Sequence, residues 1–360
     1  MKALAEPVPK CMRSHVNPHS RGLGADRSPF AARRETLPQP DAPMQPLVSA
    51  IIPTFNREST VARSVRSALG QTYGNLEVIV VDDGSSDGTL AALRDFEGRI
   101  VVLQQPNGGP SKARNLGASK ARGEILAFLD SDDEWLPDKI EKQVRIMQAF
   151  GPSMACCICN ALTTGDREAA ARTSFEVAGL SPPFQEALLT NPVEVLVSTF
   201  VLFNQVAAIR REAFDAVGGF DETLRLLEDY ELSLRIATLG PWGVLREALV
   251  LKHEDTVGIG VTAMRDELKH LAAQEGVLAS ILSNPVFQWP SMARPLAMKL
   301  RKTRREQSVH RWLRTAPAIV RPVGRAMLLC SRIVRAMERR MPTAVQPQFT
   351  KLRDTPPAQS

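Results

Sequence analysis

The 360-residue sequence has no apolar run approaching the roughly eighteen residues that a bilayer-spanning helix requires. Residues 1–10 also lack the apolar core of a secretory signal. Only five cysteines are present, and three of them are crowded at Cys156, Cys157 and Cys159, so they do not form a disulfide framework. These absences predict a cytoplasmic chain whose clustered cysteines are small apolar side chains of a strand.

Three common ligand-binding signatures are also missing from the sequence. No strand is followed by Gly-x-Gly-x-x-Gly, and Gly-x-x-x-x-Gly-Lys-Ser/Thr does not occur, which excludes a dinucleotide fingerprint and a P-loop. The cysteine cluster lacks a second ligand pair at zinc-type spacing. A phosphate-bearing ligand would therefore be held by a metal and not by a glycine cradle.

The net charge of +6 hides an asymmetry along the chain. Residues 291–360 carry a charge of about +13, whereas residues 47–290 carry about −10. An acidic central region argues against a catalytic core that binds nucleic acid. Residues 1–46 contain eight prolines and no apolar periodicity, so we expect this segment to be disordered.

Short buried strands alternate with helical segments through the first hundred residues after Leu47. The pattern predicts βαβ units and an α/β fold with a mostly parallel sheet flanked by helices. The predicted strands are Val48–Ile52, Leu76–Val81, Ile100–Leu103 and Ile125–Leu129. Ligands of such sheets bind beyond the C-terminal ends of the strands, and three polar clusters, at residues 53–57, 82–87 and 130–133, lie at these ends.

The acidic cluster follows the five apolar residues Ile125–Leu129 directly. Strand alternation predicts that Asp130 and Asp132 point to the same side, where a hard cation such as Mg²⁺ or Mn²⁺ would compensate their charges. The alternative is an acidic turn that caps the helix beginning near Pro137. This pattern taken alone leaves both interpretations open.

The ordered motifs closely resemble glycosyltransferase family 2, whose catalytic domain has the GT-A (Rossmann-like) fold. The resemblance covers about residues 47–255 and rests on several short stretches that occur in the family's order. These are Val48–Arg57, Val80–Thr89, Ala113–Asn115, Phe128–Asp133, Gly218–Glu222 and Glu228–Leu232. It implies a nucleotide-diphospho-sugar donor, a divalent metal and inversion at the anomeric carbon, with uridine diphosphate as the commonest nucleotide.

The resemblance also implies roles for residues at the first two strand ends. Pro53, Thr54 and Asn56 would line the nucleoside pocket. Asp83 would accept a hydrogen bond from the base. Arg114 is either a phosphate contact or a helix-surface arginine.

For the diphosphate and the cation, the resemblance implies two of the aspartates and a more distant histidine. Asp130 would lie near the ribose or the metal, and Asp132 would hold Mn²⁺ or Mg²⁺ against the diphosphate. Asp133 is a neighbour that could share this role. His253, after a predicted strand, is either a metal ligand or a surface histidine, because Lys252–Asp255 departs from the family's usual pattern.

Glu228 and Asp229 are the candidate catalytic residues, and Asp229 occupies the family's general-base position. They begin a predicted helix, and the helix N-terminus is expected to keep Asp229 ionised. The alternative is that Asp229 only complements the helix dipole.

The C-terminal region lies outside the resemblance. Residues 261–341 are predicted to form a basic helical extension after a catalytic domain at residues 47–260, and residues 342–360 are predicted to be disordered. Basic amphipathic helices bind anionic membrane surfaces, which would make the protein peripheral on the cytoplasmic face. The alternative is that these helices pack on the fold or on another subunit.

The leading hypothesis is an inverting, metal-dependent glycosyltransferase that acts on a hydroxyl of a glycan or lipid-linked acceptor in polysaccharide, cell-surface glycan or glycolipid synthesis. A sugar-nucleotide pyrophosphorylase would carry a Gly-rich loop with Arg and Lys where Pro53–Asn56 stands. A degenerate nucleotide-sugar-binding or scaffold protein would be expected to lose the metal carboxylates or the base, and Asp130, Asp132 and Asp229 are present.

Overall fold

A computed structural model describes residues 45–164, 173–253, 267–283, 290–315 and 347–351. The predictions of a disordered N-terminal segment and of helices beyond residue 315 therefore lie mostly outside the described residues. Among the helices of these ranges, none combines the length and the apolar character needed to cross a bilayer.

Four parallel strands form one half of the sheet, in the order β3-β2-β1-β4. They are β1 (Val48–Thr54), β2 (Leu76–Asp82), β3 (Val101–Gln104) and β4 (Ile125–Phe128). The connecting helices are α1 (Val61–Leu69), α2 (Thr89–Ala92) with a 3₁₀ turn at Arg94–Phe96, and α3 (Pro110–Lys120). β1 and β4 are buried along their whole length, which explains their continuous apolar sequence. The predicted α/β fold is confirmed.

The other half of the sheet mixes directions. β8 is antiparallel to both β4 and β6, β6 is parallel to β9, and β7 is antiparallel to β9. A short strand, β5, pairs with β9 off the main path. The strands are β5 (Glu134–Trp135), β6 (Cys156–Thr164), β7 (Glu186–Leu189), β8 (Ala207–Arg210) and β9 (Trp242–His253). The helices are α4 (Lys139–Phe150), α5 (Ser174–Ala178), α6 (Pro192–Ser198), α7 (Arg211–Ala216) and α8 (Glu228–Ala237), with a 3₁₀ turn at Asn204–Val206.

The clustered cysteines lie in β6 and are fully buried, as predicted. Burial raises the pKa of Cys159 to about 11 and raises those of Cys156 and Cys157 as well. The thiols therefore stay protonated at neutral pH, as is typical of structural cysteines.

The C-terminal region contributes two long helices and an edge strand. Helices α9 (Glu267–Ser283) and α10 (Pro290–Thr315) join the main core through buried side chains that include Leu278, Leu296 and Leu300. Within the tail predicted to be disordered, β10 (Phe349–Lys351) pairs antiparallel with β7. Phe349 packs against the core there, and the backbone of β7 supplies the hydrogen-bond partners.

Candidate active site

Three carboxylates come together immediately after β4. Oxygen atoms of Asp130, Asp132 and Asp133 lie within 4.8 Å of one another. The predicted convergence is present, but a turn produces it and not strand alternation, because the Asp133 N–H donates to the Asp130 carbonyl at 3.1 Å. The turn also brings in Asp133, which is buried. The capping alternative is wrong, because Asp138 is the N-cap residue of α4.

Hydrogen-bond donors surround this carboxylate cluster. The Gln205 side-chain Nε2 donates to Asp130 Oδ2 at 2.5 Å and to Asp133 Oδ2 at 2.9 Å. The His253 backbone N–H donates to Asp133 Oδ1 at 3.0 Å, and Arg57 Nε lies 3.6 Å from Asp132 Oδ2. Sequence reasoning missed Gln205 because it lies in an irregular turn, 75 residues from Asp130, that carries no motif.

Burial and, to a smaller extent, the neighbouring charge of Asp130 together raise the pKa of Asp133 to about 7. Three carboxylates held this close repel one another, and their hard oxygen atoms are the ligands that Mg²⁺ and Mn²⁺ prefer. The donor set therefore fits the cation that the resemblance implies.

His253 lies beside the carboxylate cluster. Its Nε2 is 2.8 Å from Glu134 Oε1, and its Nδ1 is 2.9 Å from Thr164 Oγ1. The surface-histidine alternative fits poorly, because the ring is mostly buried between these partners. Its role as a metal ligand stays a prediction, since only its backbone N–H contacts an aspartate of the cluster.

Arg114 connects the two ends of the site. Its Nη2 donates to Asp130 Oδ1 at 2.7 Å, and its Nη1 donates to Glu228 Oε1 at 2.9 Å. The guanidinium is buried, so the helix-surface alternative is wrong. Burial alone would lower the pKa of Arg114, but the charges of Asp130 and Glu228 raise it by more than burial lowers it. The net pKa shift is upward, so the group stays cationic. One buried cation therefore pairs with a carboxylate from each side of the site.

Asp229 follows Glu228 in the first turn of α8, as predicted. The sequence predicts that the helix N-terminus keeps Asp229 ionised, but two effects in the fold oppose its ionisation. Burial, together with the charge of Glu228, raises the pKa of Asp229 to about 7. These effects outweigh the hydrogen bond that the Tyr230 N–H donates to Asp229 Oδ1 at 2.7 Å. A pKa near neutrality is well suited to a general base.

The nucleoside candidates lie at the ends of β1 and β2. Pro53 and Thr54 are buried in β1. Asn56 adopts a left-handed backbone conformation (φ 51°), and its Oδ1 accepts from the Ser86 N–H at 2.9 Å. This bond fastens the loop after β1 to the loop after β2. Thr54 Oγ1 is buried and has no hydrogen-bond partner among the described residues, so it is open to a ligand.

Asp83 is buried beside these residues. Its Oδ1 accepts from Gln105 Nε2 at 2.6 Å and from the Gly108 N–H at 2.8 Å, and its Oδ2 accepts from the Gly109 N–H at 2.8 Å. Asp83 therefore holds the loop that leads into α3. Its role as an acceptor for the base stays a prediction.

Comparisons with known proteins bear on this site. Residues 49–218 match the family described as Glycosyl transferase family 2. An Escherichia coli relative, UDP-Glc:alpha-D-GlcNAc-diphosphoundecaprenol beta-1,3-glucosyltransferase WfgD, is 44% identical over 103 residues, which is 28% of this chain and 41% of the relative. The chain spans at most 57% of the length of eight curated relatives that it matches.

Solved structures share the fold at low sequence identity. The S. aureus TarS structure with UDP-GlcNAc has a TM-score of 0.57 and 18% identity, over 77% of this chain and 78% of that chain. The mannosyltransferase PcManGT from Pyrobaculum calidifontis, in complex with GDP-Man and Mn²⁺, has a TM-score of 0.51 and 20% identity, over 83% of each chain. These likenesses confirm the predicted fold.

Proposed function

The chain carries a glycosyltransferase family 2 domain over residues 49–218, and we propose that it is an inverting, metal-dependent glycosyltransferase. Its donor is a nucleotide-diphospho-sugar and its acceptor is a hydroxyl of a glycan or lipid-linked glycan. The observation that carries this proposal is the bridge made by Arg114. It joins Asp130, at the end of β4, to Glu228, the neighbour of Asp229. A cation-binding cluster and a candidate base thus border one site.

The first half of the sheet binds the donor in this proposal. Pro53, Thr54 and Asn56 line the nucleoside pocket, and Asp83 accepts from the base. The orphaned Thr54 hydroxyl supports this assignment, because a buried hydroxyl without a partner is costly unless a ligand satisfies it.

Asp130 and Asp132 hold the cation, and Asp133 and His253 complete its surroundings. When bound, a divalent cation neutralises the charge that develops on the leaving diphosphate. Arg114 orients Asp130, since its guanidinium donates to that carboxylate. Because it is already engaged by two carboxylates, Arg114 serves the diphosphate through Asp130 and not by direct contact.

Asp229 removes the proton from the acceptor hydroxyl as that oxygen attacks the anomeric carbon. The attack on the face opposite the leaving diphosphate inverts the configuration. A carboxyl with a pKa near 7 is both partly ionised and basic at neutral pH, which favours proton transfer. Glu228 keeps Asp229 basic, because its negative charge contributes to the raised pKa.

A panel of nucleotide-sugars tested with Mn²⁺ is the decisive experiment for this function. Donors would be scored by thermal shift and by release of the nucleoside diphosphate, with the metal chelated in the control series. We expect one donor to stabilise the protein only when the cation is present. If every nucleotide-sugar leaves the melting temperature unchanged in Mn²⁺, the proposed function is wrong.

The acceptor side includes a basic surface that suits an anionic membrane. On α10, Arg301, Arg304 and Arg305 are exposed, whereas Leu296 and Leu300 are buried against the fold. The apolar side of this helix is therefore occupied, and we propose that its basic side contacts anionic lipid through charge alone. The name of the relative WfgD includes a diphosphoundecaprenol acceptor, which supports a membrane-delivered acceptor here.

Flotation with liposomes tests the membrane assignment. The double variant Arg301→Glu/Arg305→Glu should float less than wild type with vesicles containing anionic phosphatidylglycerol, and both should fail to float with neutral vesicles. Equal flotation of the two proteins with anionic vesicles would contradict it.

A further inference from the structure

Gln205 is the neutral donor at the centre of the carboxylate cluster. It is 3% exposed, and its single amide nitrogen donates to oxygen atoms of both Asp130 and Asp133. An amide carries two N–H groups, so both bonds form at once. The chain separation of 75 and 72 residues makes this contact a product of the tertiary fold.

Buried side chains donate hydrogen bonds to the backbone of the turn that carries Gln205. Trp135 Nε1 donates to the Gln205 carbonyl at 2.9 Å, and Gln143 Nε2 donates to the Val206 carbonyl at 2.8 Å. Lys139 Nζ donates to Gln143 Oε1 at 2.8 Å and lies 4.2 Å from the centre of the Trp135 ring. Because the backbone is held on both sides, the Gln205 amide has little freedom to move away from the aspartates.

The charge of the bridging group matters. A lysine at this position would satisfy the same carboxylate oxygens and would also cancel one negative charge. A glutamine satisfies them and leaves the negative charge in place to attract a cation. Outer partners that orient ligating groups commonly change metal affinity by about 10–100-fold when they are lost.

We propose that Gln205 is a positioning residue of the cation site: its side-chain amide holds Asp130 and Asp133 together without neutralising them, which preorganises the cluster for a divalent cation. The proposal rests on the function proposed above. It concerns a residue in the second half of the chain, outside the acidic motif itself.

Asp130 and Asp133 are the two aspartates of the cluster whose orientation these hydrogen bonds fix. Both oxygens of Asp130 accept from protein donors, Arg114 and Gln205, and both oxygens of Asp133 accept from protein donors, His253 and Gln205. These two aspartates are held in place from both sides. The third aspartate, Asp132, has its Oδ2 3.6 Å from Arg57 Nε.

Titration of Mn²⁺ tests the proposal without any turnover. Free Mn²⁺ would be followed by electron paramagnetic resonance, with UDP present in one series and GDP in a second. In Gln205→Met the side chain keeps its length and loses both N–H groups, and we expect the Mn²⁺ dissociation constant to rise at least tenfold. Gln143→Met is the matched control: it removes another buried amide that bonds to the same turn but contacts no aspartate of the cluster. Its dissociation constant should rise much less than that of Gln205→Met, because the turn loses one hydrogen bond while the Gln205 amide and its bonds to the aspartates remain.

A second variant guards against loss of folding in Gln205→Met. Gln205→Glu keeps the shape of the side chain and places a fourth carboxylate against Asp130 and Asp133. We expect its metal-free melting temperature to fall and its gain on adding saturating Mn²⁺ to exceed that of wild type, because the cation relieves the added repulsion.

The outcomes separate the two proposals. If wild type binds Mn²⁺ and both Gln205 variants respond to it as wild type does, Gln205 has only a packing role and the inference is wrong. Equal weakening in Gln205→Met and Gln143→Met would also overturn it, because the effect would then come from the turn. If wild type binds no Mn²⁺ with either nucleotide, the cation site and the inference fall together.

Discussion

The two halves of the sheet differ in how their functional residues reach the site. In the parallel half, β1, β2 and β4 deliver residues 53–57, 82–87 and 130–133 to one edge, because parallel strands end on the same side. In the mixed half, Gln205 precedes an antiparallel strand and Asp229 begins a helix. Position there depends on contacts between distant parts of the chain.

Topology therefore positions the site residues of the parallel half, whereas individual side-chain bonds position those of the mixed half. Arg114 makes the link across 114 residues to Glu228, and Gln205 makes the link back to Asp130. A substitution in the parallel half should therefore affect ligand binding, whereas one in the mixed half should affect chemistry or preorganisation.

The sharpest contrast is between Asp229→Asn and Asp132→Asn. Both variants should lose turnover, and Asp229→Asn by about 10²–10⁴-fold, the usual contribution of a general base. Only Asp132→Asn should lose the Mn²⁺-dependent thermal shift given by the nucleotide donor. Initial rates with the identified donor and acceptor, beside thermal-shift titrations of the donor, measure the two effects.

Two results would break this contrast. Unchanged turnover in Asp229→Asn would remove the base assignment, and a normal Mn²⁺-dependent shift in Asp132→Asn would remove that aspartate from the cation site. Circular dichroism of both variants controls for folding.

Removal of the bridge between the halves gives the next largest effect. Arg114→Met leaves the Asp130 and Glu228 carboxylates without their buried partner, and breaking a buried ion pair from one side costs about 3–5 kcal/mol. Urea unfolding measures the loss of stability. The matched control is Arg145→Met, which removes an exposed arginine paired with Glu186 and should cost less than about 1 kcal/mol. Similar losses in the two variants would mean that the bridge is not an energetic link.

The sequence predicted the parallel half well because its signals are local. Continuous apolar runs indicate β1, β2 and β4, and polar residues at the ends of these strands indicate the edge of the sheet at which the candidate site lies. Local patterns also misjudged three features. Strand alternation predicts the orientation of Asp130 and Asp132, but the chain turns there. Arg114 has a surface alternative in the sequence although it is buried, and the helix N-terminus is expected to keep Asp229 ionised although burial raises its pKa. Each of these features depends on burial or on a partner far away in the chain. Neither burial nor a distant partner can be predicted from the neighbouring residues alone. Gln205 carried no signal at all.

The pH dependence of catalysis tests the mixed half of the sheet through the titration of Asp229. A base must be deprotonated to accept a proton, so kcat/KM should rise about tenfold per pH unit below pH 7 and level off above it, following the Asp229 pKa of about 7. Saturating Mn²⁺ would be kept throughout, and donor binding would be measured separately at each pH. An aspartate with an ordinary pKa would instead give a flat profile from pH 5 to 8, and that result would contradict the assignment.

The smallest expected effect is a change in unfolding free energy when the buried Lys139 of the mixed half is replaced. Lys139 is fully buried, and burial lowers its pKa to about 8. Between pH 8 and 10.5 the unfolded chain therefore holds a proton that the folded chain releases, and stability gains from Lys139 as the pH rises through this window. Lys139→Met should be about 1–2 kcal/mol more stable than wild type at pH 7 by urea unfolding, allowing for the lost bond to Gln143.

That advantage of Lys139→Met should shrink as the pH rises from 8 to 10.5, because the wild-type lysine is then neutral in the folded state and begins to lose its proton in the unfolded state. The charge of Lys139 lowers the pKa values of the three buried cysteines, but burial still raises that of Cys159 to about 11 and raises the other two, so the folded thiols stay mostly protonated up to pH 10.5 in both proteins. An advantage that stays constant from pH 7 to 10.5 would show that the Lys139 amine is charged at no cost in the fold.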